Sequence, residues 1–66
     1  MLTLEGRLDI CEAVWPGTRA AGALACSKAL VALDEVERGR VPSWISGDEV
    51  EALRAALLEH FAKEIR

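Results

Sequence analysis

The sequence predicts an all-α fold of three helices, in which two long helices form a helical hairpin and a shorter helix precedes them. Three observations indicate this class: apolar residues recur at three- and four-residue steps, a capping residue stands before each candidate helix, and Gly and Pro residues separate the helices. We expect helices at about residues 4–15, 18–38 and 47–65. At 66 residues the chain has room for a single domain, residues 1–66.

The first segment has two interpretations. With a period of two, four apolar residues alternate with polar ones, as in a strand: Leu2, Leu4, Leu8 and Ile10. With the helical period, a different set falls on one stripe: Leu4, Leu8, Cys11 and Trp15. We prefer a helix capped by Thr3, because it accounts for more residues and because the rest of the chain supplies no partner strand. A strand over residues 2–10 is the alternative.

The middle helix is rich in alanine, and turn signals bound it on both sides. Pro16–Gly17 ends the preceding segment, Thr18 is the expected N-cap, and Gly39 stands at the expected end. Small residues form one strip along this helix: Ala21, Ala25, Ala29, Ala32 and Val36. Because small side chains let another helix approach closely, we expect the middle helix to lie between two neighbours.

Two larger residues of the middle helix stand apart from its apolar strips. Leu24 and Val31 share a face that is otherwise polar. Single exposed apolar residues are common on soluble proteins and need no special role. The functional interpretation is a second contact seam with a partner helix.

The last helix has the most explicit start. Ser46 and Glu49 have the Ser-x-x-Glu spacing of a capping box, and Ile45 and Val50 have the spacing of a hydrophobic staple. The apolar stripe of this helix is wide: Val50, Leu53, Leu57, Leu58, Phe61 and Ile65. One alanine-rich neighbour cannot cover a stripe of this width, so we expect the stripe to extend from the core into an interface.

Both tryptophans stand beside turns. Trp15 precedes Pro16–Gly17, and Trp44 lies in the connector before the last helix. Each tryptophan either packs against the adjacent helices or serves as an exposed anchor for a partner, since tryptophan is enriched at binding hot spots. In an antiparallel bundle of three helices, we expect the two tryptophans near opposite ends.

Few residues of the chain could perform catalysis. His60, the single histidine, is expected on the solvated flank of the last helix, paired with Glu64 one turn further on. Cys11 and Cys26 fall on apolar stripes, where free cysteine behaves as a small buried hydrophobe, and we expect free thiols rather than a disulfide. The sequence contains no metal-ligand spacing, phosphate loop or dinucleotide fingerprint. We therefore expect no enzymatic activity, no metal and no cofactor.

The composition argues against nucleic acid and membrane as partners. The formal net charge is −3, and the Lys and Arg residues are scattered, whereas phosphate binding needs basic clusters. The longest apolar stretch, residues 20–33, is interrupted by Ser27 and Lys28, which argues against a transmembrane helix. Because the sequence has no signal-peptide pattern, we expect a cytoplasmic protein.

Several features of the chain match a known family in outline: the opening Met1, Leu4, Glu5, Arg7 and Leu8, the Ala- and Leu-rich helix ending in Arg38–Gly39, and Glu51–Ala52–Leu53 in the closing helix. In these features and in its length, the chain resembles the small E-type co-chaperones of type III secretion needle subunits. The resemblance implies a small helical protein that binds a helical-repeat chaperone and, together with it, keeps the needle subunit soluble in the cytoplasm.

A chain of this length buries only about 60% of its unfolded surface, so a second chain is the expected reinforcement of its core. We therefore expect a non-enzymatic protein–protein interaction module, a co-chaperone or assembly factor that binds a helical partner or self-associates as a homo-oligomer. The alternative is a small dimeric transcriptional regulator of the ribbon-helix-helix type, in which the N-terminal strand would pair across the dimer. The expected partner interface comprises Leu24, Val31, Trp15, Trp44, Leu57 and Phe61.

Overall fold

Residues 2–65 form three α-helices and no strand in the computed structural model. The helices are α1 (Leu4–Val14), α2 (Ala23–Glu37) and α3 (Gly47–Ile65). The predicted all-α class of three helices is therefore confirmed, and the strand interpretation of the N-terminal segment is wrong.

The structure describes the backbone of residues 2–65 and the side chains of residues 2–63. The expected contribution of Ile65 to the apolar stripe and the expected pairing of His60 with Glu64 lie outside these residues. None of the described helices is long and apolar enough to cross a membrane.

Local chemistry sets both ends of α1. Thr3 Oγ1 accepts a hydrogen bond from the Gly6 amide at 3.0 Å, which satisfies one of the free donors of the first turn. At the other end, the Trp15 amide still donates to the Cys11 carbonyl at 2.8 Å. Trp15 itself has left the helical conformation, with φ −126° and ψ 84°, as expected for a residue that precedes proline.

The predicted start of the middle helix at Thr18 is wrong, because residues 16–21 form successive turns and α2 begins only at Ala23. Thr18 is buried, and its hydroxyl donates to the Trp15 carbonyl instead of accepting from a helical amide. Gly22 has φ +105°, a conformation that favours glycine and that lies outside the α-helical region. A helix that started at Thr18 could not continue through Gly22.

The capping box of α3 is confirmed in both directions. The Glu49 amide donates to Ser46 Oγ at 3.2 Å, and the Ser46 amide donates to Glu49 Oε1 at 3.0 Å. Ile45 packs against the core that contains Val50, as a hydrophobic staple requires. Because these contacts satisfy amides that a helix start leaves unpaired, α3 has a well-defined beginning.

Helix α1 runs antiparallel to both of the other helices. Four contacts define this arrangement: Gly6 with His60 and Trp15 with Glu49 on the α3 side, and Arg7 with Glu37 and Thr18 with Cys26 on the α2 side. It follows that α2 and α3 run in roughly the same direction. The connector of residues 38–46 returns along α2 instead of forming a tight turn, and in this respect the arrangement differs from the expected hairpin.

The core consists of small and aliphatic side chains: Leu2, Ile10, Cys11, Ala29, Ala32, Leu33, Val36, Val50, Leu53 and Leu57. Its largest fully buried members are Leu33, Leu53 and Cys11. Helix α2 contacts both neighbours, as predicted, and Ala29 and Ala32 are buried there. Ala21 is exposed because it precedes the helix.

Candidate interaction site

The residues predicted to contact a partner lie in three separate places. They fall into pairs: Leu57 and Phe61 line a groove between α2 and α3, Trp15 and Trp44 line a cleft near the start of the same two helices, and Leu24 and Val31 project from α2. The structure therefore does not bring the six together on one surface.

The α2–α3 groove combines a buried apolar floor with an exposed apolar edge. Its lining residues are Val36, Glu37, Arg54, Leu57, Leu58 and Phe61, which surround about 510 Å³. Leu57 is a core residue of the chain itself, whereas 72% of Leu58 and 39% of Phe61 are exposed. A contiguous apolar surface with charged residues at its edge is typical of a protein-binding site. The predicted contact at Leu57 therefore belongs to the floor, and Leu58 supplies the exposed contact.

The groove carries one charge of each sign. Glu37 pairs with Arg7 of α1, and Arg54 lies 3.7 Å from Glu51 on its own helix. Half of the Arg54 side chain and a quarter of the Glu37 side chain remain exposed. Both charges are therefore partly accessible to an incoming chain.

The tryptophan cleft, which contains Trp15 and Trp44, is the second concave surface. It is an open cleft with a volume of about 390 Å³, and Lys28 and Glu49 are its charged lining residues. The prediction that the tryptophans lie near opposite ends of the bundle is wrong, because the connector returns along α2 and brings Trp44 close to the end of α1. The other lining residues are Pro16, Gly17, Thr18, Ala21, Ala25, Ala29 and Ile45.

Hydrogen bonds fix one wall of the tryptophan cleft. Trp15 Nε1 donates to Glu49 Oε2, and Glu49 Oε1 accepts from the amide and the hydroxyl of Ser46 at 3.0 and 3.2 Å. These bonds hold the pKa of the Glu49 carboxyl below its ordinary value, with the Ser46 amide as the largest cause and the Trp15 indole next. Trp15 therefore links the end of α1 to the start of α3 while it lines the cleft.

Trp44 is the more accessible of the two tryptophans, with 48% of its surface exposed. Lys28 Nζ lies 5.5 Å from the centroid of the Trp44 ring, within the range of a cation–π interaction. The indole therefore contacts α2 through Lys28 and still presents a large aromatic surface at the cleft.

Leu24 and Val31 lie on the face of α2 that points away from the core. Their exposed fractions are 79% and 53%. Neither residue lines the groove or the tryptophan cleft. Their role as a second contact seam therefore stays a prediction.

His60 is not the solvated residue expected from the sequence. Its side chain is half-buried beside α1, so close that a methyl group on Gly6 would lie 3.1 Å from His60 Nε2. Its ring also meets the ring of Phe61 edge to face, with centroids 6.2 Å apart. The absence of a side chain at Gly6 allows α1 and α3 to approach each other at this point.

Cys11 is poorly suited to nucleophilic chemistry. Cys11 and Cys26 are both free thiols. Burial raises the pKa of the Cys11 thiol to about 11, with a further contribution from Cys26, so this thiol is protonated at neutral pH. Within the described part of the chain, no three His, Cys, Asp or Glu side chains are placed to hold a metal ion.

Comparison with known proteins gives no guide to the function of the α2–α3 groove or of the tryptophan cleft. No family model matches the chain, and neither a curated protein nor a solved structure resembles it at a significant level. The resemblance to the E-type co-chaperones stays a prediction.

The lining residues that were not predicted as contacts include Leu58, Arg54 and Lys28. Leu58 had a signal in the sequence, because it widens the apolar stripe of α3 beyond the part that the core covers. No pattern in the sequence marked Lys28 or Arg54 as a contact residue. A charged residue on the polar face of a helix becomes part of a site only through the elements that the fold places beside it.

Proposed function

We propose that the chain is a non-enzymatic protein–protein interaction module that binds an apolar helix in the α2–α3 groove. The observation that carries this proposal is the exposure of Leu58 and Phe61 beside the buried Leu57, which leaves a continuous apolar surface along α3. An amphipathic helix laid in the groove would remove this surface from water, as in other helix-in-groove complexes.

A second copy of the chain is the occupant that fits the groove. A symmetric dimer brings the same patch of both subunits together, so that patch must be complementary to itself. Leu58 is an exposed lining residue of the groove, and Arg54 and Glu37 supply charges of both signs. In such a dimer Leu58 of each chain enters the groove of the other, with Arg54 near the second copy's Glu37.

The same contact would reinforce a small core. The buried core contains no aromatic side chain among the described residues, and Leu33 and Leu53 are its largest fully buried members. Burying a leucine or phenylalanine side chain is worth about 1.5–3 kcal/mol. Covering Leu58 and Phe61 in both chains would therefore add substantially to the stability that a core of this size provides.

Of the other expected functions, one competes for the same groove and the other loses its structural basis. The resemblance to E-type co-chaperones implies a helical-repeat chaperone as the occupant, which makes it the competing partner for the same groove. A ribbon-helix-helix regulator needs an N-terminal strand, and residues 2–65 contain none. We therefore propose association through helices and not through a β-ribbon.

Light scattering coupled to size exclusion tests the proposal with two matched variants. Leu58→Glu puts a charge at the groove, and because Leu58 is 72% exposed, that charge stays solvated in the monomer and spares the fold. Ala52→Glu puts the same charge on an exposed position of the same helix outside the groove. We expect dimers of the wild type and of Ala52→Glu, and a monomer of Leu58→Glu with an unchanged helical spectrum.

Two results would overturn the proposed dimer. If Leu58→Glu remained a dimer, a different surface would be responsible for association. If the wild type were a monomer and formed a one-to-one complex with a helical-repeat protein, the occupant of the groove would be heteromeric.

A further inference from the structure

We propose that the tryptophan cleft binds a small aromatic carboxylate, whose ring lies between Trp15 and Trp44 and whose carboxylate contacts Lys28 Nζ. The cleft shares no lining residue with the α2–α3 groove. The proposal therefore goes beyond protein association and does not depend on it.

Lys28 differs from the other described cationic side chains because it has no acidic partner. The remaining Lys and Arg side chains in residues 2–63 all lie within ion-pair distance of a carboxylate: Arg7 with Glu37, Arg19 with Glu5 and Asp9, Arg38 with Asp34, Arg40 with Glu35, Arg54 with Glu51, and Lys63 with Glu59. The Lys28 ammonium instead lies beside the Trp44 ring at the cleft. In a chain with 11 acidic residues, this unpaired cation is available to an anionic ligand.

Glu49, the carboxylate that lines the cleft, does not neutralise Lys28. Its Oε1 accepts hydrogen bonds from Ser46, and its Oε2 accepts one from the Trp15 indole. Three of about four lone-pair positions of the Glu49 carboxylate are therefore used in holding the start of α3 against the end of α1. The Lys28 ammonium remains as the charged donor for a ligand.

The walls of the cleft suit a flat apolar group. Ala25, Ala29 and Ile45 line the cleft together with the two indoles, and an aromatic ring packs on an indole in offset or edge-to-face geometry. The cleft volume of about 390 Å³ lies near the lower end of the range for ligand pockets, which favours a small ligand. A cationic ligand would approach the Lys28 ammonium, whereas the Glu49 carboxylate in the same cleft already accepts three hydrogen bonds.

Tryptophan fluorescence reports on this site directly, because both tryptophans of the chain line the cleft. The probes are phenylpropionate, its amide phenylpropionamide, and phenylpropylamine, which share the ring and differ in charge. We expect the acid to bind with a Kd on the order of 1 mM and to shift the NMR signals of both indole N–H groups. We expect the amide and the amine to bind about threefold more weakly or worse.

Three variants separate the charge of the site from its shape. Lys28→Gln should raise the Kd for phenylpropionate about threefold to fivefold and leave binding of the amide unchanged. Lys63→Gln changes the net charge equally on a residue that does not line the cleft and should have no effect. Ala25→Leu should fill the cleft and abolish binding of the acid, with the helical spectrum retained.

The proposal is overturned if the amine binds as tightly as the acid, or if Lys28→Gln and Lys63→Gln change the Kd equally.

Discussion

Cys11 is the residue whose chemistry the fold restricts most. It is fully buried, and its pKa is raised from 9.0 to about 11. Near about pH 8 this shift lowers the thiolate fraction about a hundredfold relative to an ordinary thiol, and the thiolate is the species that alkylating reagents attack. We expect iodoacetamide to modify the half-buried Cys26 first and to reach Cys11 only when the chain opens. Peptide mass spectrometry over time measures both rates, and equal rates would contradict the burial of Cys11.

The same burial predicts how stability depends on alkaline pH. Because folding raises the pKa of Cys11, the folded chain holds this proton more tightly than the unfolded chain does. The resulting stabilisation is fully present below about pH 9 and is lost as the pH rises through about 11, by up to about 3 kcal/mol in the free energy of unfolding. Urea unfolding should show this decrease. Cys11→Ala should be less stable at neutral pH but should depend less on pH, and an unchanged slope would show that other groups are responsible.

Gly6 and His60 form a pair whose coupling can be measured. Alanine at position 6 would favour the helix by about 0.5–1 kcal/mol, but its Cβ would lie 3.1 Å from His60 Nε2 and 3.3 Å from Thr3 Oγ1. We expect Gly6→Ala to be neutral or destabilising in the wild type and stabilising in the His60→Ala background. A double-mutant cycle by urea unfolding should give a coupling of about 0.5–1.5 kcal/mol. A coupling of zero would mean that His60 moves aside without cost.

Helix α3 begins with a capping box whose contribution to stability can be measured. Ser46→Ala removes the acceptor for the Glu49 amide and should lower the free energy of unfolding by about 1 kcal/mol. Ser43→Ala, in the same connector, is the matched control, because no hydrogen bond involves the Ser43 side chain in the described structure. It should change stability by less than about 0.5 kcal/mol. If the two variants were equally stable, the capping box would contribute nothing measurable.

The contrast between α3 and α2 shows how far local signals extend. The start of α3 was predictable because the Ser46 and Glu49 side chains bond to each other's backbone, and these contacts depend on neighbouring residues only. The start of α2 was not predictable in this way. Threonine is a good capping residue, but Thr18 is buried and its hydroxyl donates a hydrogen bond to the Trp15 carbonyl. The positive φ of Gly22 then prevents a continuous helix from Thr18 into α2.

For the whole molecule, the sequence predicted the number and type of the helices but not their directions. The path of the 38–46 connector decides that Trp15 and Trp44 share a cleft, and no local pattern specifies this path. The groove was predictable in part, since the wide stripe of α3 indicated that some apolar surface would remain uncovered. Which residues remain exposed depended on where α2 packs, so Leu57 became buried and Leu58 did not.

Dimer formation through the groove predicts that thermal stability depends on protein concentration. Association that occurs only in the folded state raises the midpoint of unfolding as the concentration rises. We expect this rise for the wild type and for Ala52→Glu, and none for Leu58→Glu. Circular dichroism melting curves over about a hundredfold range of concentration measure it. Midpoints that do not change with concentration in any of these proteins would count against the dimer.

Sedimentation equilibrium of the wild-type chain tests the central claim most directly, because that claim is that a second copy covers the α2–α3 groove. One chain has a mass of 7.2 kDa. At about 100 μM, well above the micromolar Kd of the weaker standard-size interfaces, we predict a single species with twice that mass. A single species of 7.2 kDa at the same concentration would contradict the account.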